Sequence, residues 1–141
     1  MSNALTYTAP LARLLLSFMF ILSGFQKITG YAGTQGYMEM MGVPGALLPL
    51  VILVEVVGGL ALLVGFQARI AALLLAGFAI VSGVLFHLVP SFAMEDAMAA
   101  QAQMISFMKN LTIAGGMLMV VAFGPGAWSM SSKNAGSVPA E

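Results

Sequence analysis

The chain is predicted to be an all-α membrane protein: four transmembrane helices in an antiparallel bundle, with short interfacial helices in the 1–2 and 3–4 connections. Three observations carry this. Its residues are 60% hydrophobic and only 7% charged, where soluble domains carry about 25% charged residues. The apolar residues gather into four runs, roughly 9–28, 46–66, 70–89 and 105–124, and about 20 such residues at ~1.5 Å each cross a hydrocarbon core of ~30 Å. Within 46–66 the one charge is Glu55, and a carboxylate at that depth is retained only where it faces a protein interior.

The elements follow in order. Arg13 interrupts the first run and no small-residue cleavage site follows it, so it reads as a retained helix and not as a signal peptide. The connection that follows holds Tyr31, Gly33, Gly36 and Tyr37 and stops at Gly42-Val43-Pro44-Gly45. A short interfacial helix near 35–41 is expected there, its tyrosines at headgroup level. Gln67-Ala68-Arg69 leaves room only for a tight hairpin between the second and third helices. After Pro90, residues 91–104 are rich in Ala and Met and carry Glu95 and Asp96, which predicts an amphipathic helix leading into the fourth crossing. Residues 1–127 thus form one membrane domain. Trp128, just past Gly124-Pro125-Gly126, reads as an interfacial anchor. The Ser-, Asn- and Gly-rich residues 128–141 read as a disordered cytoplasmic tail.

Composition excludes several classes. Formal net charge is zero and no run of Lys or Arg is long enough to track phosphates, so no nucleic-acid partner is expected. With no cysteine and one histidine, no metal, haem or iron–sulfur cluster is expected. The 12 methionines read as packing residues and not as copper ligands. Arg13, Arg69 and Lys133 fall on one side of a four-helix topology, Lys27 and Lys109 on the other. Arg69 lies in the shortest loop, so both termini are placed in the cytoplasm.

Helical spacing then sorts the faces. Arg13, Ser17, Phe20, Gly24 and Lys27 share one stripe, as do Glu55, Gly58, Gly59 and Leu62. Ala72, Ala76, Gly83 and His87 form a third stripe, and Lys109, Thr112 and Gly116 a fourth. Every helix is therefore expected to turn its charge inward with its small residues. Lys27, Glu55, His87, Lys109 and Asn110 come out at similar depth. Glu55 would ionise beside Lys27 or Lys109, and His87, with an unperturbed pKa of about 6.5, would move protons. Such a cluster suits a quinone head group, whose carbonyl oxygens need donors and protons on reduction. It equally suits a buried salt-bridge network with no ligand, or a transport path.

The order Arg13, Ser23-Gly24-Phe25-Gln26-Lys27-Ile28, Gly42-Val43-Pro44, Glu55-x-x-Gly58-Gly59 and Gly65-x3-Arg69 resembles the DoxX-like membrane proteins. Phe86-His87, Phe107-x-Lys109-Asn110-Leu111 and Gly115-Gly116 continue the resemblance, which covers about residues 9–126. It implies a four-helix protein of the bacterial cytoplasmic membrane. Relatives so implied include the small subunit of a thiosulfate:quinone oxidoreductase and membrane partners of soluble redox and superoxide-detoxifying enzymes. The positions that match are Arg13, Lys27, Glu55, Arg69, His87, Lys109 and Asn110. After the fourth helix, Trp128-Ser129-Met130-Ser131 lacks the acidic residue that the resemblance leads one to expect near the tail, so no tail-mediated contact is carried over.

Together these readings predict a small inner-membrane subunit that binds a quinone or similar amphipathic redox ligand and supports a redox complex in oxidative stress, possible membership of a quinone-linked oxidoreductase included. Glu55 and His87 are the expected catalytic residues. Lys27, Gln26, Lys109 and Asn110 would hold the ligand, and Arg13 and Arg69 would form structural ion pairs. The expected partners are the lipid bilayer, proteins of a redox complex and further copies of the chain. The alternatives are a ligand-free scaffold that recruits soluble redox enzymes and, third, a small-solute transporter, which the small number of helices disfavours.

Overall fold

The structure, a computed structural model, describes residues 3–131. Its α-helices are α1 (Asn3–Thr29), α2 (Tyr31–Met40), α3 (Leu48–Val64), α4 (Ala68–Gly83), α5 (Val89–Ser91) and α6 (Ala97–Phe123), with a 3₁₀ turn at Gly45–Leu47 leading into α3. Four stretches are long and apolar enough to cross a membrane: Thr6–Thr29, Gly45–Val64, Ala68–Ser91 and Ala97–Phe123. Their outward residues are large and apolar, among them Leu15, Phe18, Leu53, Val57, Leu73, Leu74, Leu118 and Met119. In water such a surface would aggregate; in lipid it is the solvated face.

The ends of the helices follow from local chemistry. Gly65 closes α3 in the left-handed conformation at φ 73°. Its N–H bonds the Leu62 carbonyl and the Phe66 N–H that of Ala61, the Schellman pattern that glycine favours. At the other connection Asp96 caps α6, accepting from the Ala99 N–H at 2.7 Å. From that cap α6 runs through to Phe123 without a break. No separate helix stands between the third and fourth spans, where residues 92–96 are turn and coil. The expected lead-in helix is the first turns of α6 itself.

Close approach is set by small residues. A Cβ on Gly24 would meet Val56 and Glu55, and one on Gly59 would meet Ile21, so α1 and α3 pack backbone to backbone. Partners along these two helices run in opposite directions, Ser17 and Ile21 against Gly59, Gly24 against Val56, Lys27 against Glu55. Gly58 turns the other way, toward Leu75 of α4. The alanine stripe of α4 (Ala68, Ala71, Ala72, Ala76, Ala79) packs with Leu75, Phe20, Leu62, Ala114 and Met117 to form the core. The helices therefore follow one another around the bundle as α1, α3, α4 and α6, and α1 and α6 touch only sparingly. That seam is where the cavities lie.

Two expectations are corrected here, on α6 and on the chain after it, and the third span adds a feature of its own. On α6 the buried positions are Ala114, Met117 and Val120, whereas Lys109 and Thr112 are exposed. The inward face is rotated from the one that charge and small residues marked, because Met117 and Val120 carry more apolar surface into the core than Thr112 can. The third span is not uniformly α-helical: Val84–Leu88 is a π-helical segment. Pro90 offers no N–H to the Phe86 carbonyl and crowds it, and the turn before it widens. Residues 128–131 are not a free tail. Ser129 is buried and Ser131 bonds the Gly65 carbonyl through Oγ (2.7 Å) and N–H (3.2 Å). The rest of the expected tail, Lys133 included, lies outside the described residues.

Candidate functional site

Glu55 is the centre of a compact polar group. It projects from the middle of α3 with 3% of its surface exposed. Lys27, in the last turn of α1, reaches it with Nζ 2.9 Å from Oε2 and donates to Oε1 at 3.0 Å. Ser23, one helical turn earlier, donates to the same Oε1 at 3.1 Å and accepts from Lys27 Nζ at 2.6 Å. Gly24 makes this possible by letting α3 approach between the two donors. The pair is the one salt bridge among the described residues. Glu55 Oε2 is buried and has the Lys27 ammonium, 2.9 Å away, as its partner.

Glu55 lines a cavity of about 390 Å³ between α1, α3, α4 and α6, inside the range of small-ligand sites. Its walls are mainly apolar and aromatic (Phe20, Met38, Phe78, Phe86, Ile113), with Lys27, Ser82, His87, Ser106, Lys109 and Asn110 as polar points. Helix α2 covers one side through Thr34, Tyr37 and Met38. Tyr37 stacks on Phe86 of the π-helical segment, centroids 5.8 Å apart. The widened turn thus sets both Phe86 and His87 against the cavity, a placement in keeping with the frequent occurrence of π segments at functional sites.

Five of the six residues expected to form the site line this cavity together: Glu55, His87, Lys27, Lys109 and Asn110. Their contacts differ from the expected cluster in detail. His87 Nδ1 lies 2.7 Å from Gln103 Oε1 of α6, and it is this amide that holds the ring. Asn110 Nδ2 bonds the Ser106 carbonyl of its own helix, its Cβ seated against Gly83. Lys109 is exposed and stands at the rim, so Lys27 alone pairs with Glu55. Gln26 is exposed and does not line the cavity; one position before Lys27, it falls about 100° around the helix. Sequence reading missed Ser23 and Gln103. Ser23 lies one turn before Lys27, a signal present in the sequence. Gln103 was hidden because its helix was expected to cross only from residue 105.

Arg13 and Arg69 make no ion pair with any described carboxylate. Arg13 is 3% exposed. Its Nη2 donates to the carbonyls of Ala127 (3.1 Å) and Trp128 (2.8 Å), while Nε and Nη1 have no hydrogen-bond partner. Trp128 itself is exposed and meets Tyr7 edge-on at 5.1 Å. Arg69 is exposed beside Gly124. The described carboxylates other than Glu55 are Glu39, Glu95 and Asp96, in α2 and the connection before α6, at the opposite end of the bundle.

Comparison with known proteins places this architecture. The inner membrane protein YqjF of Escherichia coli (strain K12) is 52% identical over 119 residues, which is 84% of this chain and 85% of that protein. The inner membrane protein YphA of the same organism is 33% identical over 125 residues, 87% of each. No solved structure matches. The family model of DoxX matches residues 9–88, a stretch that contains Arg13, Lys27, Glu55, Arg69 and His87. By that match, and by two relatives aligned over most of their lengths, the chain belongs to the DoxX family.

Proposed function

We propose that this DoxX protein is an inner-membrane subunit, both termini cytoplasmic, whose cavity binds a quinone or similar amphipathic redox ligand and serves a redox complex active against oxidative stress. The observation that carries the reading is the Glu55 carboxylate: a buried acid, paired with Lys27, on a residue that lines a ligand-sized cavity. A quinol hydroxyl would donate to it, and Lys27, Lys109 and Asn110 offer donors to a quinone carbonyl. The aromatic walls suit a flat ring. Reduction of a quinone takes up two electrons and two protons. Glu55 and His87 are the groups suited to hand on the protons, and a partner protein would supply the electrons. Both named relatives are inner membrane proteins, which supports the location.

A second reading has its own support. Lys27 and Ser23 already compensate Oε1 of Glu55, as they would in a ligand-free scaffold held together by a buried pair. Organic extraction of the purified protein separates the two. A stoichiometric quinone that is lost in a folded Glu55→Gln variant supports the redox site. No quinone above the membrane background supports the scaffold.

A further inference from the structure

The seam between α1 and α6 holds a second cavity, about 510 Å³, at the end away from Glu55. Leu16, packed over Gly116, forms part of its wall. The second is lined by Ala12, Leu16, Met119, Val120 and Phe123, and by one charged residue, Arg13. Arg13 is 3% exposed and leaves Nε and Nη1 without acceptors. Gly124 also lines the cavity, and Arg69 Nη2 lies 3.5 Å from where a Cβ on Gly124 would stand. Two arginines with no described carboxylate near them thus flank the head of an apolar groove.

We propose that this groove seats an acidic membrane phospholipid, its acyl chain along Ala12, Leu16, Met119 and Phe123 and its phosphate drawn by Arg13 and Arg69. The charge requirement selects the occupant. A buried guanidinium with unmet donors is stabilised by an anion more than by a zwitterion or by hydrocarbon alone. Guanidinium–phosphate contacts are planar and strong, and a groove open along one side to the bilayer admits a chain from the lipid phase. The inference is independent of the ligand in the Glu55 cavity.

Native mass spectrometry of the full chain in detergent tests it, with phosphatidylglycerol and phosphatidylcholine of matched chains as probes. Phosphatidylglycerol should be retained roughly fivefold better, the factor that about 1 kcal/mol from the buried Arg13 corresponds to, with exposed Arg69 adding less. Arg13→Gln should remove most of the preference. Because Arg13 also ties residues 127 and 128, Ala12→Phe serves as the second variant. It fills the groove from an exposed position, leaves Arg13 intact, and should lower retention of phosphatidylglycerol to the phosphatidylcholine level. Equal retention of the two lipids by wild type overturns the proposal, as does undiminished preference in Ala12→Phe. Inorganic phosphate should give no thermal shift at the lipid's concentration; a shift equal to that with phosphatidylglycerol would place the anion without the groove and also overturn it.

Discussion

The two ends of the bundle solve the same problem differently. At one, a buried carboxylate on α3 meets a lysine and a serine from α1 at distances of 2.9 to 3.1 Å. At the other, a buried arginine on the same α1 meets backbone carbonyls from residues 127 and 128. The first is charge against charge. The second is charge against dipole, which satisfies one nitrogen and leaves two without partners. Removing a member of the first group strands its partner in low dielectric. Removing Arg13 strands only two carbonyls, which water at a helix end can reach. The ends should therefore differ in how much they lose on mutation.

The largest effect is expected from Glu55→Gln. It keeps shape and removes the charge facing Lys27. Breaking a buried pair costs about 3–5 kcal/mol, and the 24% exposure of the Lys27 side chain lets the lysine turn to solvent, so the lower part of that range is expected. Thermal unfolding in detergent measures it. The double variant Glu55→Gln with Lys27→Met should recover part of the loss, since neither charge is then orphaned. A double variant as unstable as the sum of the singles would mean the two residues act independently, and the comparison of ends would break.

Arg13→Gln should cost less, about 2 kcal/mol, the scale of hydrogen bonds to a charged group offset by removal of a poorly satisfied one. Its distinctive effect is local. Amide exchange should rise in residues 127–131 while the Glu55 end keeps its protection. Uniform loss of protection would show that the arginine holds the whole bundle and not the chain end alone.

This contrast also marks how far sequence reading reaches. The Arg13–Ser17–Phe20–Gly24–Lys27 stripe and the Ala72–Ala76–Gly83 stripe were legible because charge, small size and period agree on one face. Glu55 with Lys27 was legible because a lone acid deep in an apolar run demands a cation at its depth. The face of α6 was not. Polar Lys109 and Thr112 sit at positions that period alone allows to be inward, and only the volumes of Ala114, Met117 and Val120 against α4 decide. The partners of Arg13 left no trace either: they are main-chain carbonyls 114 and 115 residues away, and every residue has a carbonyl. The link from His87 to Gln103 depends on a widened turn before Pro90 and on how far α6 extends, both of which are tertiary outcomes.

Gly65→Ala sharpens the comparison at the arginine end. The position sits at φ 73°, and Arg13 Nη1 and Ser129 occupy the space a Cβ needs. Strain of this kind costs about 1–3 kcal/mol, and because the added methyl is itself the atom that meets Arg13 Nη1 and Ser129, a loss of about 2 kcal/mol is expected. The reporter is again exchange at 127–131, which should rise as it does in Arg13→Gln. A loss of stability with no change there would assign the cost to the hairpin turn alone.

The smallest stability effect is expected at the junction of the cavity and the π-helical segment. His87→Gln removes the ring that Gln103 holds at 2.7 Å, in a half-buried position, so about 0.5–1.5 kcal/mol is the scale. Gln103→Leu removes the same hydrogen bond and leaves the imidazole. If the bond is all that matters, the two variants should match in unfolding temperature and in every other respect. If the cavity exchanges protons with a quinone, they should part. Imidazole can take up and release a proton and an amide cannot. His87→Gln should then keep bound quinone yet lower the rate of its reduction, while Gln103→Leu keeps most of that rate. Matched rates in both variants, alongside a Glu55→Gln protein that has lost its quinone, would leave Glu55 as the proton-bearing group and reduce His87 to a wall of the cavity.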